Sequence, residues 1–280
     1  MRLQSPLLPP ELGGTSFAES HFSSHRFAFV FLCLALCSTV LAQAKMDSPN
    51  PPPLSQAEGE KQARILLEDL LSRAPEKGST NTGEVRIRNA DRSEKRVSVK
   101  FEIFSTTTNW VSTYETTPAG ASDQNAMKLT VVHAPQGNHY FLIRPFTPVT
   151  SVQNAVRLKP DQLAEPFVGS DFWIMDLGLE FLRWPNQRVI KGEMRRSMPC
   201  KVLESINPEP APGSYSRVVS WIDPESGGIV HADAYDPKGN LMKLFDPTGL
   251  EKINGIRQLE EMEMRNRQTK SHTWIKFNLR

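Results

Sequence analysis

The chain has 280 residues, 39% of them apolar and 23% charged, with a formal net charge of +2. That length suffices for one large domain or two small ones with a sizeable core. A charge so close to neutral, with Lys and Arg scattered along the chain, excludes the concentrated basic field that a nucleic-acid partner requires.

Residues 27–41 are apolar except for Cys33, Cys37, Ser38 and Thr39; Arg26 precedes them and Ala42-Gln43-Ala44 follows. A positive residue, an apolar run of this length and an Ala-x-Ala site predict a secretory signal peptide over residues 1–44, cleaved after Ala44. A membrane-spanning helix needs ~20 apolar residues, more than this run supplies. Leu34-Ala35-Leu36-Cys37 carries bulky Leu36 where a lipidation motif wants a small residue, so no anchor is expected at Cys37. Once the signal is removed only Cys200 remains, which excludes an internal disulfide and reads as a buried, inert thiol.

Residues 45–54, with Pro49 and Pro51 to Pro53, predict a stiff extended linker. A capping box at Ser55-Gln56-Ala57-Glu58 then starts a helix. Ala63, Leu66, Leu67, Leu70, Leu71 and Ala74 recur at three- and four-residue spacing, so they share one face that must lie on an apolar surface. Pro75 and Gly78 end it.

From Gly83 the period changes to two. Val85 and Ile87 alternate with Arg86 and Arg88, and Val97, Val99, Phe101 and Ile103 share one side of a longer strand. Residues 110–115, 127–133 and 139–144 continue the pattern, the last two joined at Pro135-Gln-Gly-Asn. Residues 158–167 predict a short helical turn. Next, Phe172, Trp173, Ile174, Met175, Leu177, Leu179, Phe181 and Leu182 crowd together before Trp184-Pro185. A helix apolar all round must be buried on several sides, as a central core element or as a lid over an apolar cavity.

Strands resume at residues 188–191 and 199–205. Residues 215–222, 229–235 and 241–245 form a meander, because Asp223-Pro-Glu-Ser-Gly-Gly and Asp236-Pro-Lys-Gly-Asn are tight-turn sequences. Residues 259–266 and 271–277 are two further strands. The pattern amounts to about 11–13 strands with two or three helices, a mainly β (α+β) unit over residues 55–280.

No nucleophile elbow, P-loop, dinucleotide-binding glycine pattern or zinc motif occurs in the mature chain. His231, Asp233 and Tyr235 alternate on one strand face, where a solvent-facing set is expected, and His133, His139 and His272 read as isolated. Asp171 and Asp176 read as helix-start residues. No catalytic residue, metal or cofactor is expected.

A series of short motifs carries a resemblance. They run Gly169-Ser-Asp-Phe172, Asp176-Leu177, Pro199-Cys-Lys-Val-Leu-Glu204, Arg217-Val-Val-Ser-Trp-Ile-Asp223, Tyr235-Asp-Pro-Lys-Gly239, Met262-Glu-Met-Arg-Asn266 and Lys270-Ser-His-Thr273. In this order they resemble the LolA-like family of outer-membrane lipoprotein-sorting proteins, in particular its uncharacterised branch. The resemblance implies an incomplete antiparallel β-barrel whose concave apolar face is covered by helices. It also implies a periplasmic, non-enzymatic carrier of lipoprotein acyl chains or other acylated lipid, working between an inner-membrane release complex and an outer-membrane acceptor. Phe101, Ile103, Trp110, Phe172, Trp173, Met175, Leu179 and Trp221 are then candidates for the cavity wall or lid, with Met175, Met242, Met262 and Met264 as an adaptable lining. The alternatives are an envelope sensor that uses the same half-barrel as a docking surface, and an extracytoplasmic hydrolase working through His231 or Asp233.

Overall fold

The computed structural model describes residues 52–279 apart from 74, 76–77, 107, 117–125, 145–153 and 254–255. The predicted signal peptide at 1–44 and most of the predicted linker at 45–54 lie outside the described residues. Helix α1 (Gln56–Ser72) begins where the Ser55 side chain accepts the Glu58 N–H, and it buries Ala63, Leu66 and Leu67. Arg73 finishes it, pairing with Asp69 at 2.5 Å and donating to the carbonyls of Pro224 and Glu225 at 2.9 and 3.0 Å.

The strands are β1 (Ser79–Arg88), β2 (Glu94–Ser105), β3 (Trp110–Thr116), β4 (Lys128–Ala134), β5 (Gly137–Ile143), β6 (Val156–Arg157), β7 (Asn186–Arg195), β8 (Met198–Ile206), β9 (Arg217–Ile222), β10 (Ile229–Tyr235), β11 (Leu241–Ile253), β12 (Ile256–Asn266) and β13 (His272–Asn278). Local turn chemistry sets their succession. Between β10 and β11, the Asp236 carboxylate accepts the N–H groups of Lys238 and Asn240, and Gly239 takes φ +80° to close the turn.

Together they make one 13-stranded sheet in the order β6-β5-β4-β3-β2-β1-β13-β12-β11-β10-β9-β8-β7. Two meanders are joined through the β1–β13 pair, and the edge strands β6 and β7 are not bonded to each other. The sheet is therefore an antiparallel half-barrel that does not close. At the β7 edge, Leu54 N–H donates to the Ile190 carbonyl at 2.7 Å and α1 packs alongside, which covers an otherwise unpaired strand.

Register aligns the inner face. Ile87, Thr273, Met264, Phe245, Ala232, Ser220, Leu203 and Val189 stand opposite one another across eight consecutive strands. Because strand side chains alternate, the same register turns Arg86, Arg88, Glu263, Arg265, His231 and Trp221 to the outer face.

The segment linking β6 to β7 crosses the inner face as a plug. The single helix expected over residues 172–182 is not formed. Instead a one-turn helix α2 (Ile174–Leu177) ends at Gly178, Leu179 takes φ +50°, and a short 3-10 turn (Glu180–Arg183) follows. The break lets the chain turn while Phe172, Ile174, Met175, Leu177, Phe181 and Leu182 all reach the core. Burial of each large apolar side chain contributes ~1.5–3 kcal/mol, which outweighs the helical hydrogen bonds forgone. Asp171 does not start a helix. Its carboxylate accepts the hydroxyls of Ser271 and Thr273 at 2.6 and 2.9 Å, anchoring the plug to β13. Among the described residues no helix is long and apolar enough to cross a membrane.

Candidate functional site

Between plug and sheet lies a cavity of about 550 Å³. Phe101, Ile103 and Tyr114 of β2 and β3 form one wall, Val230, Ala232 and Ala234 of β10 another, and Met262 and Met264 of β12 a third. The plug supplies Phe172, Leu177, Leu179 and Phe181. Leu179 and Leu250 line the cavity and yet are 42% and 51% exposed, so they mark its mouth. Small residues at Ala232 and Ala234 keep the space open, since each leaves room that a leucine would fill.

One pole of this apolar space is polar. Lys243, on the inner face of β11, is 1% exposed. Its ammonium donates to the Asp171 carbonyl at 2.6 Å, lies 3.8 Å from Asp176 Oδ2 and sits 3.4 Å from the centroid of the Trp173 ring. Asp176 Oδ2 also accepts the Trp173 N–H at 2.7 Å and the Tyr215 hydroxyl at 3.2 Å, while Trp173 stacks on Tyr215 with centroids 4.4 Å apart. Burial pulls the Lys243 pKa down to about 7, against the attraction of Asp176 and Asp171. Burial likewise raises the Asp176 carboxyl, with Lys243 opposing. The cluster fastens α2 to β11 and to Tyr215, just ahead of β9, through groups that would be costly to bury unpaired.

Polar groups on both faces correct two expectations, His231 on the outer face and His133 on the inner. His231 is buried rather than solvent-facing: its ring nitrogens lie 2.9 Å from Asp246 Oδ1 and 2.9 Å from Asp233 Oδ1. Desolvation lowers its pKa, but the two carboxylates more than offset this and the net shift is upward. Arg196 and Arg265 share Asp246, completing a charge cluster over β10–β12. His133, read as isolated, bonds Ser112 and Asn138 and is stacked under Trp110 with ring centroids 3.5 Å apart. His139 and His272 also have partners, in Arg157 and Glu263.

Of the residues singled out from sequence, Phe101, Ile103, Phe172, Leu179, Met262 and Met264 line the cavity together. Trp173 belongs to the polar latch, while Met175 and Met242 are buried in the surrounding core. Trp110 and Trp221 lie outside the cavity. Trp110 borders a separate, more polar cleft of about 1330 Å³ with Arg64, Arg183 and Arg188. Trp221 is on the outer face, where its indole N–H donates to Glu193 at 3.1 Å and the Arg195 guanidinium covers its ring at 4.6 Å. Missed from sequence were Ala232, Ala234, Tyr114 and Lys243. Strand parity offered a signal for Lys243, since it shares the face of Phe245 two residues on.

Comparison with known proteins agrees with this architecture. A family model described as that of an uncharacterised protein matches residues 111–279. A DUF1329 family protein from Desulfovibrio piger superposes with a TM-score of 0.61 at 20% identity, covering 78% of this chain and 90% of its own. A domain assigned to outer membrane lipoprotein sorting, from Vibrio parahaemolyticus, gives a TM-score of 0.61 at 18% identity, covering 80% of this chain and 92% of its own. A LolA superfamily protein from Nitrosomonas europaea gives 0.53 at 17% identity, covering 78% and 91%. No curated protein matches the sequence. The matched model takes in β3 to β13 with the plug between them, and the chain accordingly belongs to that uncharacterised family, with a fold like that of the DUF1329 and LolA superfamily structures.

Proposed function

We propose that this protein is a periplasmic carrier for acylated lipid or the acyl chains of lipoproteins, moving them toward the outer membrane. The observation that carries the reading is the cavity of about 550 Å³, walled by Phe101, Ile103, Val230, Ala232, Met262 and Met264 and roofed by the plug. Small-molecule pockets run to ~300–1,000 Å³ and are mostly apolar, so a hydrocarbon tail suits both its volume and its chemistry. Each methylene moved from water into such a space contributes ~0.8 kcal/mol. Two methionines in the wall adapt to chains of different shape. Carriage needs only that the plug yield and re-form, since an apolar tail replaces the contacts Leu179 and Phe181 give up.

Native mass spectrometry of the mature chain, purified from a membrane-containing lysate, tests this. A co-purifying lipid that organic solvent removes and added acyl lipid restores is the expected result. A chain with no exchangeable lipid and no affinity for fatty acyl probes would end the carrier reading. The outer face favours a second reading, an envelope sensor or docking module: the Arg86 and Arg88 guanidinium groups both lie against the Trp274 ring, 4.3 and 4.8 Å from its centroid. Arginine and tryptophan are enriched at protein interfaces. Loss of a protein partner on Trp274→Ala, with acyl binding absent, would select that reading instead.

A further inference from the structure

We propose that Ser112 is a nucleophile, with His133 as its general base and Asn138 as the group that orients the base, acting on acyl esters lodged in the apolar cavity. The three side chains come from three adjacent strands, β3, β4 and β5, whose register sets Trp110 opposite His133 and His133 opposite Asn138. Ser112 Oγ lies 3.0 Å from His133 Nε2, and His133 Nδ1 lies 3.1 Å from Asn138 Oδ1.

The direction of these hydrogen bonds follows from their neighbours. Asn138 Nδ2 faces the Gly178 carbonyl at 2.9 Å and Glu180 Oε2 at 2.9 Å, and a carbonyl oxygen can only accept. The amide nitrogen must therefore point that way, which turns Oδ1 toward the imidazole. Nδ1 then carries the ring proton and donates it to Oδ1. Nε2 is left with a bare lone pair, so the Ser112 hydroxyl must donate to it. A base fixed in one tautomer and already bonded to a hydroxyl is the arrangement that nucleophilic catalysis by serine uses. Burial holds the His133 pKa down to about 4, so the ring is neutral throughout the physiological range, though a weaker base than a free imidazole.

Position supports the role. Ser112 borders the apolar cavity, whereas His133 and Trp110 border the polar cleft of about 1330 Å³. The hydroxyl thus stands between a seat for a hydrocarbon tail and a space that admits water. In the proposed step Oγ bonds to the ester carbonyl carbon and its proton passes to Nε2. The alcohol leaves with that proton as its C–O bond breaks, and the acyl group remains on Ser112. Water entering from the cleft reverses the sequence and releases the free acid. This rests on the cavity holding acyl chains and goes beyond the carrier reading, in which the ligand leaves unchanged.

A fluorophosphonate bearing a short alkyl group, applied to the folded mature chain, reads Ser112 without requiring a long tail. Its failure therefore leaves lipid carriage, tested by native mass spectrometry, standing or falling separately. Peptide mapping should find the phosphonyl adduct on Ser112, S112A should abolish it, and His133→Gln should slow it about 100-fold or more. On the unaltered chain, the labelling rate should be level from about pH 5 to 8, because the base is already free there. No adduct on Ser112, labelling equally fast in folded His133→Gln, or a rate rising about tenfold per pH unit as for an unassisted hydroxyl, would overturn the proposal.

Discussion

Replacing Ala232 by leucine tests whether the cavity is where acyl chains bind. Ala232 lies in the middle of β10, opposite Ser220 on one side and Phe245 on the other, and its methyl group forms part of the cavity wall. Leucine adds three carbons on that wall, displacing about three methylenes of a bound tail. At ~0.8 kcal/mol each the loss is about 2.4 kcal/mol, or roughly a 60-fold weaker dissociation constant. The fold should tolerate the change, because the new atoms enter a cavity of about 550 Å³ rather than a packed core. Titration with a fluorescent fatty acyl probe measures the affinity, and urea denaturation of the same sample shows that the variant is folded. Should Ala232→Leu bind the probe as tightly as the parent while denaturing at the same midpoint, the cavity is not the binding site.

Three other outcomes follow from buried polar groups and one close contact. Lys243 has its pKa drawn from 10.5 to about 7 by burial, so between those values the folded protein binds fewer protons there than the unfolded chain. Unfolding takes up a proton in that window, and this site makes stability rise by about 1.4 kcal/mol per pH unit above pH 7. Denaturation from pH 7 to 9 should show that slope in the parent and lose it in Lys243→Met; an identical slope in both would refute the assignment. Ser220 Oγ is buried with no hydrogen-bond partner among the described residues, so Ser220→Ala should raise stability by about 1 kcal/mol in the same assay, and a loss would count against it. A Cβ at Gly178 would stand 2.1 Å from the Tyr140 hydroxyl, so Gly178→Ala should cost about 1–3 kcal/mol and break the Tyr140–Glu180 bond. An unchanged denaturation midpoint would show that the plug sits elsewhere.

Much of the architecture is local and was open to reading from residue order. Alternation marks the strands because a half-buried sheet needs apolar side chains at every second position, and Val85, Ile87, Val99 and Phe101 obey it. The turn at Asp236 is written in its Asp-Pro-Lys-Gly-Asn sequence, and the start of α1 in Ser55. The succession of short motifs from Gly169 to Thr273 carried the family. Alternation was weaker where both parities are apolar: Val218 and Val219 are both buried, which hid the outward direction of Trp221. It was misleading in the plug, where an unbroken apolar run looked like one helix and proved to be a bent segment with most of its large side chains buried.

What residue order determined about this protein is which segments form strands, where they turn and which chemical face most of them bury. Tertiary structure alone decided which positions along those strands stand side by side, and hence how much room remains between plug and sheet. Trp110 faces inward, yet it borders the polar cleft because register places it at the end of β3, opposite Ser105 and His133. Ser112, His133 and Asn138 are up to 26 residues apart in the chain and meet only through pairing across β3, β4 and β5. Side-chain direction in a strand has a period of two that any segment reveals by itself. Pairing register and the plug's path arise from long-range contacts summed over the whole sheet, and no single segment contains them.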